Sequence, residues 1–370
     1  MLGVLSSPAW LSGGLLACRP PDAADELWIS AQGKQQETFG LGWTTPDGQS
    51  ARLAVGFRGH DVLPHALFAE RALLIGRHPE RELVEVDLIE GRIVRRITCA
   101  PEHELAGHAC FSADGAVLFT TESNFERGEG RVVARDARDY RVLDEWSSHG
   151  IGPHELLRMP DGRTLAVANG GLLTHPRSGD EVLNLDTMVS TLSFIDASNG
   201  ELLDEQRVDE QRASIRHLDV SDRGELSVAL QMQRRGDDDQ HQAPLAAIYD
   251  ARRGLRVISE PEPLLWQCED YMGSTRINSR SRVAGFTSPR GDIALFWDLD
   301  TLTPVGHHRL HDVCGLTVSL DEALFVLSSS SGQIRCLDAV TLEERTEHRL
   351  ELSNFAWDNH MRSLRHPERT

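Results

Sequence analysis

Residues 323–338 read ALFVLSSSSGQIRCLD. This stretch contains two short apolar runs typical of β-strands, Ala323–Leu327 and Gln333–Asp338, and the second run ends in an aspartate. The second kind of run occurs six times along the chain. Its copies end at Asp87, Asp136, Asp196, Asp250, Asp298 and Asp338, which are 49, 60, 54, 48 and 40 residues apart. Four short strands per interval of this length are the pattern of a β-propeller blade.

The two ends of the chain together supply a seventh blade. Three strand patterns, Leu27–Ala31, Phe39–Trp43 and Ala51–Gly56, precede the first copy, and one, Asn354–His360, follows the last. Joining them closes the ring and removes the open sheet edges of a linear stack. We therefore predict an all-β, seven-bladed β-propeller in which the C-terminal strand pairs with the N-terminal blade. A ring of six or eight blades is the alternative.

The predicted propeller spans residues 25–362, between a signal-peptide-like or disordered N-terminus (1–24) and a disordered tail (363–370). Residues Met1–Ala17 are apolar and uncharged, and Leu15–Cys18 resembles a bacterial lipoprotein cleavage site. No Lys or Arg precedes Arg19, so the usual positive n-region is missing. We predict export to the periplasm, with Cys18 as a candidate lipid anchor. No later stretch has the roughly 18 apolar residues of a transmembrane segment.

The composition argues against several functions. The formal net charge is −19, from 57 acidic and 38 basic residues, so a nucleic acid would be repelled. The six cysteines form no CxxC pair, and in the periplasm they could form one or two disulfides whose pairing the sequence leaves open. No GxSxG, P-loop or HExxH motif is present, so we assign no catalytic residue and favour a non-enzymatic protein.

Histidines recur at one position of the blades. His65, His108, His154, His217 and His360 each lie near the start of a predicted innermost strand, and Met272 and Cys314 lie near that position in the other two blades. Innermost strands line the central channel, so we expect these residues to converge at one mouth of it. Imidazole nitrogens are ligands for iron, copper or zinc, and the five histidines are candidate ligands of iron, copper or haem iron. Structural hydrogen bonds within the blades are the alternative role.

Other polar residues are candidates for ligand binding. Glu122 and Glu155 could orient the imidazoles or join them as ligands. An insertion at residues 170–189 is too long for a tight turn and could cover a face of the propeller. The candidates on and beside it, which would meet the channel mouth or pin the loop, are Asn169, His175, Asn184 and Asp186. A second insertion, residues 233–243, is polar and acidic and is interpreted as a solvated hairpin.

Several motifs together resemble the domain-of-unknown-function 1513 family over about residues 25–362. They are Gly107-His108, Glu122, Gly152–Glu155, Ala168–Gly171, His175-Pro176, Leu183–Asp186, Ser214–Leu218 and Trp357–His360. The resemblance implies a propeller similar to YVTN and WD40-like repeats, and export, often by the twin-arginine route, although this chain has no twin arginine in its first 17 residues. It also implies a periplasmic role in iron acquisition, with imelysin-like or other periplasmic iron-uptake proteins as partners. No activity of the family is established.

Three functional hypotheses follow. The first is a periplasmic, non-enzymatic protein that binds a transition metal or haem in iron acquisition, with His108, His154 and His217 as the main contacts. The second is a protein-interaction scaffold in which the histidines are structural. The third is a metal-dependent propeller enzyme, either a hydrolase or an oxidoreductase, and it ranks last because no residue spacing is diagnostic of catalysis.

Overall fold

The computed structural model describes residues 25–179, 181–234 and 241–367, and in them 28 strands form seven antiparallel four-stranded sheets. The seven sheets are the blades of a propeller, as predicted. Blade 1 consists of β1 (Glu26–Gln32), β2 (Gly40–Thr44), β3 (Ser50–Ala54) and β28 (Trp357–Arg365). Blade 2 consists of β4 (Gly59–Pro64), β5 (Arg71–Gly76), β6 (Glu82–Asp87) and β7 (Arg92–Thr98). Blade 3 consists of β8 (His103–Phe111), β9 (Val117–Asn124), β10 (Glu129–Asp136) and β11 (Val142–Ser147).

The remaining blades follow in chain order. Blade 4 consists of β12 (Pro153–Arg158), β13 (Thr164–Asn169), β14 (Thr191–Asp196) and β15 (Leu202–Gln206). Blade 5 consists of β16 (Ala213–Val220), β17 (Leu226–Met232), β18 (Ala246–Asp250) and β19 (Gly254–Ile258). Blade 6 consists of β20 (Ser274–Asn278), β21 (Val283–Ser288), β22 (Ile293–Asp298) and β23 (Pro304–Arg309), and the short helix α1 (Glu262–Gln267) precedes it. Blade 7 consists of β24 (Val313–Val318), β25 (Leu324–Ser329), β26 (Gln333–Asp338) and β27 (Leu350–Glu351).

The ring closes by pairing of the two chain ends. Strand β28 lies antiparallel to β1, with Glu26 opposite Arg365 and Gln32 opposite Trp357. This confirms the predicted closure. Strand β28 runs to Arg365, so the disordered tail predicted from residue 363 begins inside a strand, and that boundary was wrong. The predicted signal peptide and the lipid anchor at Cys18 lie outside the described residues, as does part of the insertion at 233–243.

The recurring aspartate has a structural role in blades 2–7. It is the last residue of the third strand, and its carboxylate accepts hydrogen bonds from backbone N–H groups of the following turn. Asp338, for example, accepts from Val340 and Thr341, at 3.0 Å each. The apolar residues of the strands pack between neighbouring blades, as Phe296 and Phe325 do with ring centroids 5.0 Å apart. Turn chemistry and inter-blade packing therefore explain the sequence repeat.

The innermost strands, which line the central channel, are β28, β4, β8, β12, β16, β20 and β24, and each contacts the next around the ring. Among the described residues, no helix has the length and apolar character that a membrane crossing requires. The five cysteines in this part of the chain, Cys99, Cys110, Cys268, Cys314 and Cys336, are all free thiols.

Candidate metal centre

Five histidines converge inside the channel. His60, His108, His154, His217 and His360, here called the histidine cluster, come from five different blades. Neighbouring rings lie close together, with centroids between 4.4 Å apart, for His217 and His360, and 5.6 Å apart, for His60 and His217. All five are buried, and His154, at 8% exposure, is the most accessible. The cluster therefore lies within the channel and not at an open mouth.

Irregular strand pairing brings these side chains to the axis. Six of the seven innermost strands contain a β-bulge at the corresponding position, whereas β20 pairs regularly with β21. A bulge adds residues that have no partner and turns their side chains away from the regular pleat. The bulges lie between Gly59 and Val62, Leu105 and Ala109, Pro153 and Leu156, Ile215 and His217, and Val313 and Gly315, and in β28 opposite Ala31.

Two bulges require unusual backbone conformations. His360 has a φ of 65°, in the left-handed region that non-glycine residues rarely adopt. Gly107 has a φ of 102°, and a Cβ there would lie 2.5 Å from Cδ2 of His60. Strained backbone of this kind persists where the surrounding structure enforces it, and it is concentrated at functional sites. The cluster thus depends on glycine at position 107 and on strain at position 360.

Four of the buried rings have a nitrogen with no hydrogen-bond partner among the described residues. These atoms are Nδ1 of His60, Nε2 of His108, Nδ1 of His217 and Nε2 of His360. One ring nitrogen from each of His60, His108, His217 and His360 lies within 4.8 Å of the other three. Buried polar atoms are rarely left without partners, so this arrangement needs an explanation. Four converging imidazole nitrogens are a plausible set of metal donors.

The local environment keeps four of the cluster histidines neutral. Burial is the main cause that lowers the pKa of His60, His154, His217 and His360 well below its usual range. The pKa is lowered further by repulsion from neighbouring groups in their protonated form, chiefly His108 for His60 and Arg216 for His154. A neutral imidazole has a free lone pair, and only this form binds metal.

Two carboxylates lie beside the cluster. Asp61 is 3.2 Å and Glu155 is 3.7 Å from Nδ1 of His108, and Glu155 is also 3.4 Å from Nδ1 of His217. Arg362 pairs with Asp61 at 2.7 Å. Burial alone would raise the pKa of Asp61, but Arg362 and His108 hold it well below its usual range. An ionised carboxylate next to imidazole N–H groups orients the rings and increases their basicity as ligands.

A cavity of about 510 Å³ lies next to the cluster. His154 is the cluster member in its wall, and the insertion at 170–189 contributes Leu172, Thr174 and Val182. A second cavity of about 480 Å³ shares Arg58 and Arg77 with the first. Access to the histidines from the first cavity therefore passes His154.

The structure places four of the five predicted histidines, His108, His154, His217 and His360, in the cluster. His65 is outside it, because it lies just after β4, where Nε2 is 3.1 Å from the carbonyl oxygen of Ala137 and the ring packs 5.1 Å from Phe111. The cluster residue of that blade is His60, which the sequence analysis missed. The available signal was the dipeptide His60-Asp61, which matches His154-Glu155 as a histidine followed by a carboxylate.

The two predicted glutamates have different positions. Glu155 is next to the cluster, as described above. Glu122 is buried within blade 3, where its carboxylate lies 2.8 Å from Nδ1 of His103 and accepts a hydrogen bond from Arg135 at 2.6 Å. Glu122 is outside both groups of potential metal ligands found in the described residues.

The candidates around the insertion mainly hold the chain in place. Asn169 donates to the carbonyl oxygen of Ser148 at 2.9 Å, and Asn184 donates to that of Gly171 at 2.8 Å. His175 caps a short 3₁₀ turn, at Pro176–Ser178, by accepting from the backbone of Arg177. Asp186 is exposed and accepts at its backbone carbonyl from Gln211. These contacts favour a role in holding the loop in place, which was one of the two roles expected from the sequence.

The other two residues predicted at the histidine position of the blades, Met272 and Cys314, have different surroundings. Met272 is buried in the apolar core between blades 5 and 6. Cys314 lies in the bulge of β24, and its thiol donates to the carbonyl oxygen of Trp357 at 3.2 Å. Burial raises the pKa of this thiol well above its usual range, so it stays protonated. Neither residue adds a donor to the histidine cluster.

Comparison with known proteins adds one finding. The model of a family described as "Protein of unknown function (DUF1513)" matches residues 53–364. The match begins in β3 and ends in β28, and it contains all five members of the histidine cluster. Among curated proteins, the comparison finds no match.

Proposed function

The chain belongs to the DUF1513 family, and we propose that it is an exported, non-enzymatic protein whose histidine cluster binds one transition-metal ion. The observation that carries this proposal is the set of buried ring nitrogens on His60, His108, His217 and His360 that have no hydrogen-bond partner among the described residues. A structural role would pair such atoms, because leaving a buried polar atom unsatisfied costs about 1–3 kcal/mol. A cation bound among these rings would give such nitrogens a partner.

The cluster has dimensions close to those of a metal site. Metal–imidazole bonds are about 2.0–2.1 Å long, so two nitrogens on opposite sides of an ion are about 4.1 Å apart. The four nitrogens in the cluster lie within 4.8 Å of one another. Binding therefore needs each ring to move inward by less than about 1 Å. His154 lies on the side of the cluster that faces the first cavity, and its Nε2 is 3.3 Å from Nε2 of His60. From there it could replace one of the four histidines as a ligand of the ion.

The geometry favours a single ion over haem. Neighbouring rings of the cluster have centroids 4.4–5.6 Å apart, which leaves no space for a macrocycle among them. Neutral imidazoles suit copper, zinc, nickel and iron, and the affinity of such a site for divalent ions rises towards copper. Iron and copper were the ions expected from the sequence. Iron is favoured by the resemblance to a family linked to iron acquisition, and copper by the all-nitrogen donor set.

A binding function is favoured over catalysis. Catalytic metal sites usually keep one coordination position open for water or substrate, whereas four protein ligands complete a closed site. Periplasmic location is supported by the apolar, uncharged N-terminal segment, Met1–Ala17, that ends next to Cys18. A role in iron acquisition, with imelysin-like or other periplasmic iron-uptake proteins as partners, rests on the family resemblance.

The test is a metal titration of the stripped protein. We expect the wild type to bind one equivalent of Cu²⁺ or Fe²⁺, measured by elemental analysis after desalting, with a rise in melting temperature. The variant His108→Ala/His217→Ala should lose the ion. His65→Ala is the matched control, because it removes a buried histidine outside the cluster and should retain one equivalent. No metal in any form, or equal loss in the control, would make the cluster histidines structural and overturn the proposal.

A further inference from the structure

The cavity beside the histidine cluster is basic in an acidic protein. Its wall includes three arginines, Arg58, Arg77 and Arg216, although the chain as a whole has a formal net charge of −19. Gln231 and Gln233 add side-chain amides to the same wall. Such a concentration of donors in one concave site is typical of anion recognition.

Two of these arginines already have a carboxylate partner. Arg58 pairs with Asp358 at 2.8 Å, and Arg77 lies 3.8 Å from the other oxygen of that carboxylate. The acidic group in the cavity wall is Glu80, whose pKa is raised by burial and by its neighbour Glu82. His78 in the same wall pairs with Glu104 at 2.8 Å. The positive charge of Arg58 and Arg77 is therefore partly compensated within the protein.

Arg216 is different. It is the residue inserted by the bulge of β16, directly before His217, and no described carboxylate lies within ion-pair distance of it. Its Nε is buried and has no hydrogen-bond partner among the described residues. A half-buried guanidinium without a counter-charge is costly, and an anion in the cavity would remove that cost.

We infer that this cavity binds a small organic anion with two or more carboxylates, held by Arg216 in the fork geometry that guanidinium and carboxylate groups share. A free divalent cation approaching past His154 would be repelled by the three guanidinium groups. A metal ion carried as an anionic carboxylate chelate would instead be attracted. The inference deepens the proposed function and in this sense rests on it, but the anion site itself can be tested without metal.

The test uses citrate as the probe and protein stripped on a chelating resin, because soluble chelators themselves carry carboxylates. We expect isothermal titration to show one citrate per chain, and citrate to raise the melting temperature. Arg216→Met keeps the apolar stem and removes the charge. It should weaken citrate binding at least tenfold, about the effect of losing a charge-assisted hydrogen bond. Without citrate the same variant should melt at or above the wild-type temperature, because the uncompensated charge is gone.

Two further variants complete the test. Arg77→Met should also weaken citrate binding, and Arg207→Met is the matched control, since Arg207 is an exposed arginine that pairs with Glu205 on the surface. Unchanged citrate affinity in Arg216→Met, no citrate binding at millimolar concentration, or equally tight binding of inorganic phosphate would each overturn the inference. Metal binding by the histidine cluster with no citrate binding would leave the proposed function standing and reject only the anion site.

Discussion

Nδ1 of His108 lies 3.2 Å from a carboxylate oxygen of Asp61, while Nε2 of the same ring has no hydrogen-bond partner among the described residues. The pairing favours the tautomer in which Nδ1–H donates to Asp61 and the Nε2 lone pair is free. This carboxylate–histidine arrangement is common behind metal ligands. If the cluster binds an ion as proposed, Asp61 would orient His108 as a ligand without touching the ion.

Replacing Asp61 tests this role. We expect Asp61→Asn to weaken metal binding about 10- to 100-fold, the usual effect of losing a carboxylate behind a ligating histidine. The measurement is a competition titration against a chromophoric chelator. Glu122→Gln is the matched control, because Glu122 is also a buried carboxylate next to a histidine and an arginine, but outside the cluster. Both variants should lose stability, since each removes a carboxylate that pairs with an arginine, Arg362 for Asp61 and Arg135 for Glu122. Equal metal affinity in the two variants would contradict the role of Asp61.

The glycine at position 107 provides a second test. In Gly107→Ala the new Cβ would lie 2.5 Å from Cδ2 of His60, and the residue would keep a φ of 102°. We expect a loss of about 1–3 kcal/mol in the free energy of unfolding, measured by urea denaturation, and weaker metal binding because His60 is displaced. Gly91→Ala is the control, because it also has a positive φ but no heavy atom within 4 Å of the added Cβ. Its cost should come from the backbone alone, and its metal affinity should be unchanged.

The fold was predictable because each blade repeats the same local chemistry. Asp87 and Asp338 accept backbone N–H groups in the turns after their strands, so the aspartate at the strand end marks every complete copy. The closing strand was recognisable because only three strands, β1, β2 and β3, precede the first complete blade, and these three needed a fourth strand from the other end of the chain to accompany them. The predicted closing strand ended at His360 and the predicted propeller at residue 362, whereas β28 runs to Arg365, because Ser363-Leu364-Arg365 carries no turn signal that separates strand from tail.

The site was only partly predictable because it is built on bulges. The histidine position was found by counting residues back from the second strand of each blade, which assumes regular pairing. The bulges of the innermost strands add different numbers of residues, so the count fails there. In blade 2 the count led to His65, six residues before Arg71, although His60 is the one that the bulge turns inward. Nor could the sequence show that Arg216 lacks a counter-charge. That fact depends on which carboxylates the folded ring brings within reach.

The cysteines lead to a third prediction. Burial raises the pKa of Cys99 to about 11 and that of Cys110, Cys268 and Cys336 to about 12. Only the thiolate reacts, and an unperturbed cysteine has a pKa near 8.5. We therefore expect the native protein at pH 8 to react with a disulfide reagent at least about a hundredfold more slowly than the unfolded protein. Cys110 tests this prediction most severely, because it lines a cavity of about 400 Å³ that a reagent could enter. Rapid labelling of Cys110 in the native protein, found by peptide mapping, would contradict the prediction.

The fourth prediction concerns pH. His60, His154, His217 and His360 have pKa values well below 6.5 in the folded protein, chiefly through burial, whereas the unfolded chain protonates them near pH 6.5. As the pH falls through 6.5 the unfolded state gains protons that the folded state does not, so the metal-free protein should lose stability. Between pH 7.5 and 5.5 each histidine contributes about 1.4 kcal/mol, or about 5 kcal/mol for all four.

Urea denaturation of the metal-free protein across this range measures the effect. Asp61, whose pKa is held well below its usual range, stays ionised over the whole interval and does not contribute. The double variant His60→Gln/His154→Gln removes two of these four histidines, so its loss of stability between pH 7.5 and 5.5 should be about 3 kcal/mol smaller than that of the wild type. A wild-type stability that stays flat or rises as the pH falls to 5.5 would mean that the rings are already protonated in the folded protein. Protonated rings have no lone pair to offer, so that result would also remove the chemical basis of the metal site.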